Sequence, residues 1–154
     1  MSELLLIDAD ESSFEGANEA NCLYLDAGGE GRGAAALPSM ATHRLRNGID
    51  SISSLLDEAE VLILLTALGG GMGSGASGEL ARIANQYGCM VLSIAGLPFA
   101  EQPLRCSIAE ESIPSLDANS SVCIRVSMER LAWQSRRRKT NWMTGSGWIA
   151  ELVE

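Results

Sequence analysis

Aromatic residues are scarce in this 154-residue chain, at two Phe, two Tyr and three Trp. Basic residues are few: 11 Lys and Arg face 20 Asp and Glu, a formal charge of −9. A chain this acidic does not bind nucleic acid through a general positive field. Histidine occurs once, at His43, and the four cysteines (Cys22, Cys89, Cys106, Cys123) are scattered with no C-x-x-C. That argues against a zinc site and leaves no metal-ligating set. No apolar run approaches the roughly 18 residues of a membrane span. The start, Met1-Ser2-Glu3-Leu4-Leu5-Leu6-Ile7-Asp8, lacks the basic flank and length of a signal peptide. A reduced, cytoplasmic protein is the expectation. The length suits one domain with a proper core.

Short apolar runs alternate with helical patterns. Leu4–Ile7 and Cys22–Leu25 read as strands, and residues 27–39, rich in Gly and Ala, read as loop. Leu45, Ile49, Ile52 and Leu56 recur at the spacing of one helix face. Val61–Leu65 is apolar on both faces, as in a central strand covered by helices on each side. Leu80, Ile83, Ala84 and Tyr87 mark a helix that Gly88 can stop. Met90–Ala95 is a further strand, Leu104 to about Leu116 a helix, and Val122, Ile124 and Val126 a last strand. This order predicts an α/β fold: a mostly parallel sheet flanked by helices in three layers.

What is abundant is glycine, with 16 residues. Between the Val61 strand and the Leu80 helix lie Gly69, Gly70, Gly71, Met72, Gly73, Ser74 and Gly75, five of the seven glycine. Backbone without Cβ can approach an anion closely. The following helix adds its N-terminal amides and the positive end of its dipole. Ser74 and Ser77 are candidate hydroxyl donors. The junction therefore predicts a phosphate cradle at the carboxyl end of a strand. The bland alternative, a tight turn without ligand, needs only one or two glycines. No G-x-x-x-x-G-K-[ST] occurs, which excludes a P-loop. A dinucleotide-type G-x-G-x-x-A occurs as Gly31-Arg32-Gly33-Ala34-Ala35-Ala36, but Leu37-Pro38 follows where a helix should open.

The run Gly69–Gly75 resembles the GGGTGSG signature of the tubulin/FtsZ family, whose loop wraps GTP phosphates. Gly31, Gly33 and Ala34, within Gly31–Pro38, resemble the family's GLGAGANP loop near the γ-phosphate. Pro98–Arg105 is similar to PF-x-F-EG-x-x-R with one residue deleted, and keeps Glu101 and Arg105 four apart for ribose and phosphates. Ala109–Ile113 resembles AEEGI, Ile7–Asp10 resembles INTD, and Met128–Leu131 resembles NDRL at the entry to a long helix. By this resemblance the cofactor is GTP or GDP, with magnesium accompanying the nucleotide. The contacts would come from Gly69–Gly75, Gly31, Gly33, Ala34, Glu101, Arg105 and Asp10. The register spans about Leu4 to Leu131, which gives a nucleotide-domain core over 1–131 and an extension over 132–154.

Departures from the pattern matter equally. The family's first strand, GGGGGN loop and helix have no counterpart before the INTD-like stretch. Met128 stands where Asn reads the nucleotide, Met72 replaces Thr, and Leu37 replaces the Asn of GANP. No N-x-D-x-x-D loop occurs, and residues 132–154 offer only Glu151 and Glu154 as carboxylates. Each missing hydrogen bond is worth about 0.5–1.5 kcal/mol, or about 1.5–3 when charge-assisted, so losing three or four weakens binding by roughly two or three powers of ten. Asp8 and Asp10 beside phosphates would be unfavourable without a bridging magnesium. The resemblance thus implies a degenerate relative with no catalytic residues. It would act through self-association or a protein partner, such as a full-length tubulin/FtsZ-like protein, without nucleic acid. The alternatives are a guanine-nucleotide switch or GTPase completed by a partner, and an unrelated Rossmann-like dinucleotide binder.

Other features have plain readings. His43 and Glu110-Glu111 read as solvated helix residues. Glu101 and Arg105 would also suit an ordinary i, i+4 helix pair. All three Trp (Trp133, Trp142, Trp148) lie in the last 22 residues, around Arg136-Arg137-Arg138-Lys139. Packing of this 133–148 segment onto the sheet is favoured over docking on a partner or peripheral contact with an anionic membrane.

Overall fold

A computed structural model describes residues 4–15, 21–25, 33–34 and 36–137. The apolar runs form five strands: β1 (Leu5–Asp8), β2 (Asn21–Tyr24), β3 (Val61–Ala67), β4 (Met90–Leu97) and β5 (Val122–Ser127). The helices are α1 (Pro38–Gly48), α2 (Ser53–Glu58), α3 (Gly71–Gln86), α4 (Pro103–Asn119) and α5 (Met128–Arg137). All strand pairings are parallel, and they form two sheets, β1-β2 and β3-β4-β5. Parallel sheets flanked by helices are what the strand–helix alternation predicts.

The helices α1, α3 and α4 lie side by side, with α3 packed on both neighbours and on β3 and β4. Ala41 and Leu45 of α1, Leu80, Ala81 and Ala84 of α3, Val91 and Ala95 of β4, and Leu116 of α4 form the core. A second determinant joins α1 to α3. The Glu79 carboxylate, 7% exposed, accepts hydrogen bonds from Arg82 Nη2 at 2.7 Å and Arg46 Nε at 2.7 Å. Those two guanidinium groups, Arg82 foremost, hold the Glu79 pKa down to about 2.

Three details differ from the sequence reading. The Leu45–Leu56 face is not one helix: α1 ends at Gly48, a 3₁₀ turn spans Ile49–Ser51, and α2 restarts at Ser53. Asn47-Gly48 is the breaker, a dipeptide that favours turns over continued helix. Helix α1 also opens at Pro38, inside the stretch read as loop, because Pro suits the first helical position where its missing N–H costs nothing.

The third concerns β3, whose alternate residues meet different surroundings. Leu62 and Leu64 pack against the core, whereas Val61, Ile63 and Leu65 are exposed. Helices do not cover both faces of this strand among the described residues. Such a run reads the same whether its second face is covered or open.

Candidate functional site

Every parallel strand delivers its following segment to the same, carboxyl, edge of its sheet. At the end of β3, the Leu68 amide donates to the Gly96 carbonyl at 2.9 Å, and the chain then turns through Gly69 at φ +96°. Gly70 is the N-cap of α3, in extended conformation, with no side chain capping the helix. The Gly69 amide donates to Ser74 Oγ at 2.8 Å, and Ser74 N–H donates to the Gly70 carbonyl at 3.2 Å. The amides of Gly70, Gly71, Met72 and Gly73 therefore form the open end of a sixteen-residue helix. Four orphan donors and the dipole make this a place for an anion.

The glycines have a more particular explanation than closeness to a ligand. A Cβ on Gly73 would stand 1.8 Å from the Ala67 carbonyl oxygen, and one on Gly75 would stand 2.0 Å from that of Pro38. One on Gly71 would meet Ala34 Cβ at 2.8 Å, and one on Gly69 would meet Arg105 Cβ at 2.9 Å. At Gly70 nothing lies within 4 Å. Four of the five glycines are thus demanded by backbone packing, and only Gly70 borders open space. Glycine abundance alone was too generous a pointer to a ligand, because what opposes each Cβ is set by distant chain.

These same contacts show which candidate residues the fold gathers. Gly33 (φ +57°) lies beside Asp10, whose Cβ would be 3.6 Å from a Cβ there, and Ala34 abuts Gly71. The Leu37 amide donates to the Ala34 carbonyl at 2.8 Å, with Ala36 held at φ +57° in between. So Asp10, Gly33, Ala34, Gly69, Gly70, Gly71, Met72, Gly73, Ser74, Gly75 and Arg105 belong to one neighbourhood. Gly31 lies outside the described residues, as do Trp142, Trp148, Arg138 and Lys139. The G-x-G-x-x-A stretch does lead into a helix, α1, one turn later than a dinucleotide loop would.

Several expected roles change. Ser74 Oγ is turned to the Gly69 amide and stabilises the loop; Ser77 Oγ is buried without a partner among the described residues, one and a half turns into α3. Neither stands among the open amides as a separate donor. Asp8 Oδ1 accepts from the Ala9 and Asp10 amides, at 2.6 and 3.1 Å, and Asp10 Oδ1 accepts from the Ser12 amide and hydroxyl, at 3.0 and 2.8 Å. Both carboxylates hold their own turn. Glu101 precedes α4, so it and Arg105 are not an i, i+4 pair on one helix, and no ion pair joins them among the described residues. No group of three or more His, Cys, Asp or Glu converges among the described residues.

The sequence reading missed a cleft on the same edge. A cavity of about 360 Å³ is lined by Phe99, Glu101, Gln102, Glu129, Ala132 and Trp133. The Ala100 amide donates to Glu129 Oε1 at 2.9 Å, which ties the β4–α4 loop to α5. Glu129 and Trp133 at i, i+4 on a helix were the available signal.

Parallel strands flanked by helices, with a glycine-rich strand–helix junction at the carboxyl edge, define the class of open parallel α/β folds. Within that class the chain belongs to the tubulin/FtsZ family: residues 1–134 match the Tubulin/FtsZ family, GTPase domain. It is 32% identical over 133 residues to the cell division protein FtsZ of Mycoplasmopsis pulmonis, covering 86% of this chain and 34% of that one. Against FtsZ of Aquifex aeolicus it is 29% identical over 111 residues, covering 71% and 30%. The fold superimposes on an empty FtsZ dimer structure from M. jannaschii with TM-score 0.75 at 20% identity, covering 84% of this chain and 38% of that one. It also superimposes on CetZ from Methanosaeta thermophila with TM-score 0.73 at 16% identity, covering 98% and 45%. The chain therefore spans about a third of the length of the FtsZ relatives it matches. No helix among the described residues is long and apolar enough to cross a membrane.

Proposed function

We propose that this chain is a non-hydrolysing tubulin/FtsZ relative that works by association, with itself or with a filament-forming relative, through the carboxyl edge that carries the open end of α3. The observation that carries this reading is an asymmetry in the site. The helix start that would receive an anion has no side-chain cap, while Oδ1 of Asp8 and Oδ1 of Asp10 accept from the amides of their own turn. A water-activating base must lie within hydrogen-bond reach of the proton it takes, and no group of three or more His, Cys, Asp or Glu converges among the described residues.

If a nucleotide docks, the amides of Gly70, Gly71, Met72 and Gly73 hold its phosphates, with Arg105 nearby as a cation. The cleft of Phe99, Glu101, Glu129 and Trp133 takes the nucleoside, where carboxylates accept from ribose hydroxyls or guanine N–H groups and rings stack on the base. Any magnesium would ride on the phosphates rather than on a protein cage.

The test is a titration of labelled GTP and magnesium into the 154-residue chain, with hydrolysis and sedimentation followed in parallel. The proposal expects no turnover and weak or undetectable binding by the chain alone. It also expects sedimentation with itself or with a co-polymerising relative. Hydrolysis at a filament-like rate by the chain alone would overturn it. A second reading, a guanine-nucleotide switch completed by a partner, is favoured by the empty space at Gly70. Micromolar binding by the chain alone, lost in Gly70→Asp, would decide for that reading.

A further inference from the structure

Strand β3 is an outer strand of its sheet, because β4 alone pairs with it among the described residues. In a parallel ladder each residue sends its N–H and C=O to one side, and the next residue sends them to the other. The Met90 amide donates to the Glu60 carbonyl at 2.8 Å, and the Leu68 amide to the Gly96 carbonyl at 2.9 Å. Even-numbered residues from 60 to 68 therefore face β4. The backbone groups of Val61, Ile63, Leu65 and Ala67 point the opposite way, and no described strand receives them.

Outer strands are normally blunted by a charge, a proline, a bulge or a cover. At the other side of the sheet β5 carries Arg125, ion-paired with Asp117 of α4. Val61–Ala67 has no charged residue and no proline, and it runs in unbroken register with Met90–Gly96. Its Val61, Ile63 and Leu65 side chains are 43–47% exposed. In the row Leu65–Ile94–Ile124 the central residue is 6% exposed and the outer two are 47% and 45%. Exposure in that row belongs to the outer strands, while the middle of the sheet is closed.

The surroundings of β3 select a single extended segment. Helix α4 lies over β4 and β5, α3 over β3 and β4, and α1 on the other flank of α3. The open side of β3 thus looks toward α1, where Leu25 at the end of β2 sits against Gly48. There β1 and β2 pack on the common core through Leu5, Ile7 and Leu23. A second copy would have to bring its whole sheet past β1 and β2, whereas one strand needs a width of about 4.8 Å. Asp57, Glu58 and Glu60 stand exposed at the amino end of β3, so a fitting segment carries basic residues there.

We propose that the lateral side of β3 is a docking site for a protein partner, which adds one extended apolar strand with a basic flank along Val61–Ala67. The partner's backbone pairs with the outward amides and carbonyls, and its alternate side chains continue the rows of Val61, Ile63 and Leu65. This site is separate from the carboxyl edge, so the inference is independent of nucleotide binding and of association there.

The probe is a fluorescent peptide as long as β3, alternating valine and threonine between flanking lysines, titrated into the 154-residue chain. Saturable binding is expected, with exchange of the Ile63 and Leu65 amides slowed roughly tenfold and little change at Leu62 and Leu64. Glutamates in place of the lysines should weaken binding several-fold, and the same peptide N-methylated at every amide should not bind. Ile63→Pro removes an N–H that β4 does not use, so this variant should fold and lose the peptide. No saturable binding, binding that leaves the Ile63 and Leu65 amides unprotected, or equal binding of the N-methylated peptide would overturn the proposal. Slow exchange at those two amides in the free chain would overturn it as well. If it persists on dilution, the chain's own backbone occupies the site, and if it vanishes on dilution, a second copy does.

Discussion

Gly73 and the carbonyl of Ala67 are so close that a β-carbon on the glycine would lie 1.8 Å from the oxygen. The start of α3 is seated on the end of β3 with no room for a methyl group, and Thr66 Oγ1 completes the contact by donating to the Gly73 carbonyl at 3.1 Å. Gly73→Ala should destabilise the fold by about 3 kcal/mol, at the upper end of overpacking costs because backbone must move. Urea unfolding measures it, and a stability unchanged within error would contradict this packing. Loss of nucleotide binding in Gly73→Ala or Gly75→Ala would therefore report a damaged helix and not a lost phosphate contact.

Gly70 offers the cleaner probe. Its φ of −109° and ψ of 174° suit any residue, and it occupies the N-cap of an uncapped helix. Gly70→Asp should stabilise the chain by a few tenths of a kcal/mol, since Asp caps better than Gly and its charge complements the dipole. The same carboxylate should repel any phosphate group from the open amides. A thermal melt read beside a GTP titration checks both signs, and a destabilised Gly70→Asp would show that the N-cap is not as open as the geometry has it.

Acid should weaken the α1–α3 junction. The Glu79 pKa is lowered from 4.5 to about 2 by Arg82 and Arg46, so its contribution is present above the unfolded value and lost as pH falls from about 4.5 to about 2. Both arginines are partly exposed and screened, which reduces the gain at Glu79 to about 2 kcal/mol. Stability followed by denaturant between pH 6 and pH 3 should fall, and Glu79→Gln should flatten that fall. An equal slope in both proteins would remove Glu79 as the cause.

Thiol labelling should be strongly ordered. Cys22 is exposed, whereas the Cys89 sulfur is buried against the Leu56 and Ala59 carbonyls and burial raises its pKa. At pH 8 a thiol reagent should modify Cys22 at least tenfold faster than Cys89, which becomes reactive only on unfolding. Mass spectrometry of partially labelled protein checks the order.

The strands and the helix after the glycines could be read from the chain because β-branched and aliphatic runs, and the Leu80, Ile83, Ala84 spacing, are local signals. Pro38 and Asn47-Gly48 are local too, yet a long apolar period across Leu45–Leu56 outweighed them. The open face was hidden, since Val61, Ile63 and Leu65 look alike under a helix or in water. The Arg46–Glu79 pair was hidden by its separation of 33 residues. In the site, the neighbourhood of Asp10, Gly33, Ala34, Gly71 and Arg105 came through the family resemblance. The Phe99–Trp133 cleft did not, because its walls come from a loop and a helix that meet only in three dimensions.

The seating of α3 bears on descent as much as on chemistry. A lineage that stopped using nucleotides altogether would still have to keep Gly71, Gly73 and Gly75, because alanine at any of them would collide with Ala34, Ala67 or Pro38. The glycine string can thus outlive the ligand it first served, and Gly70 is the position at which drift would betray that the ligand had been given up.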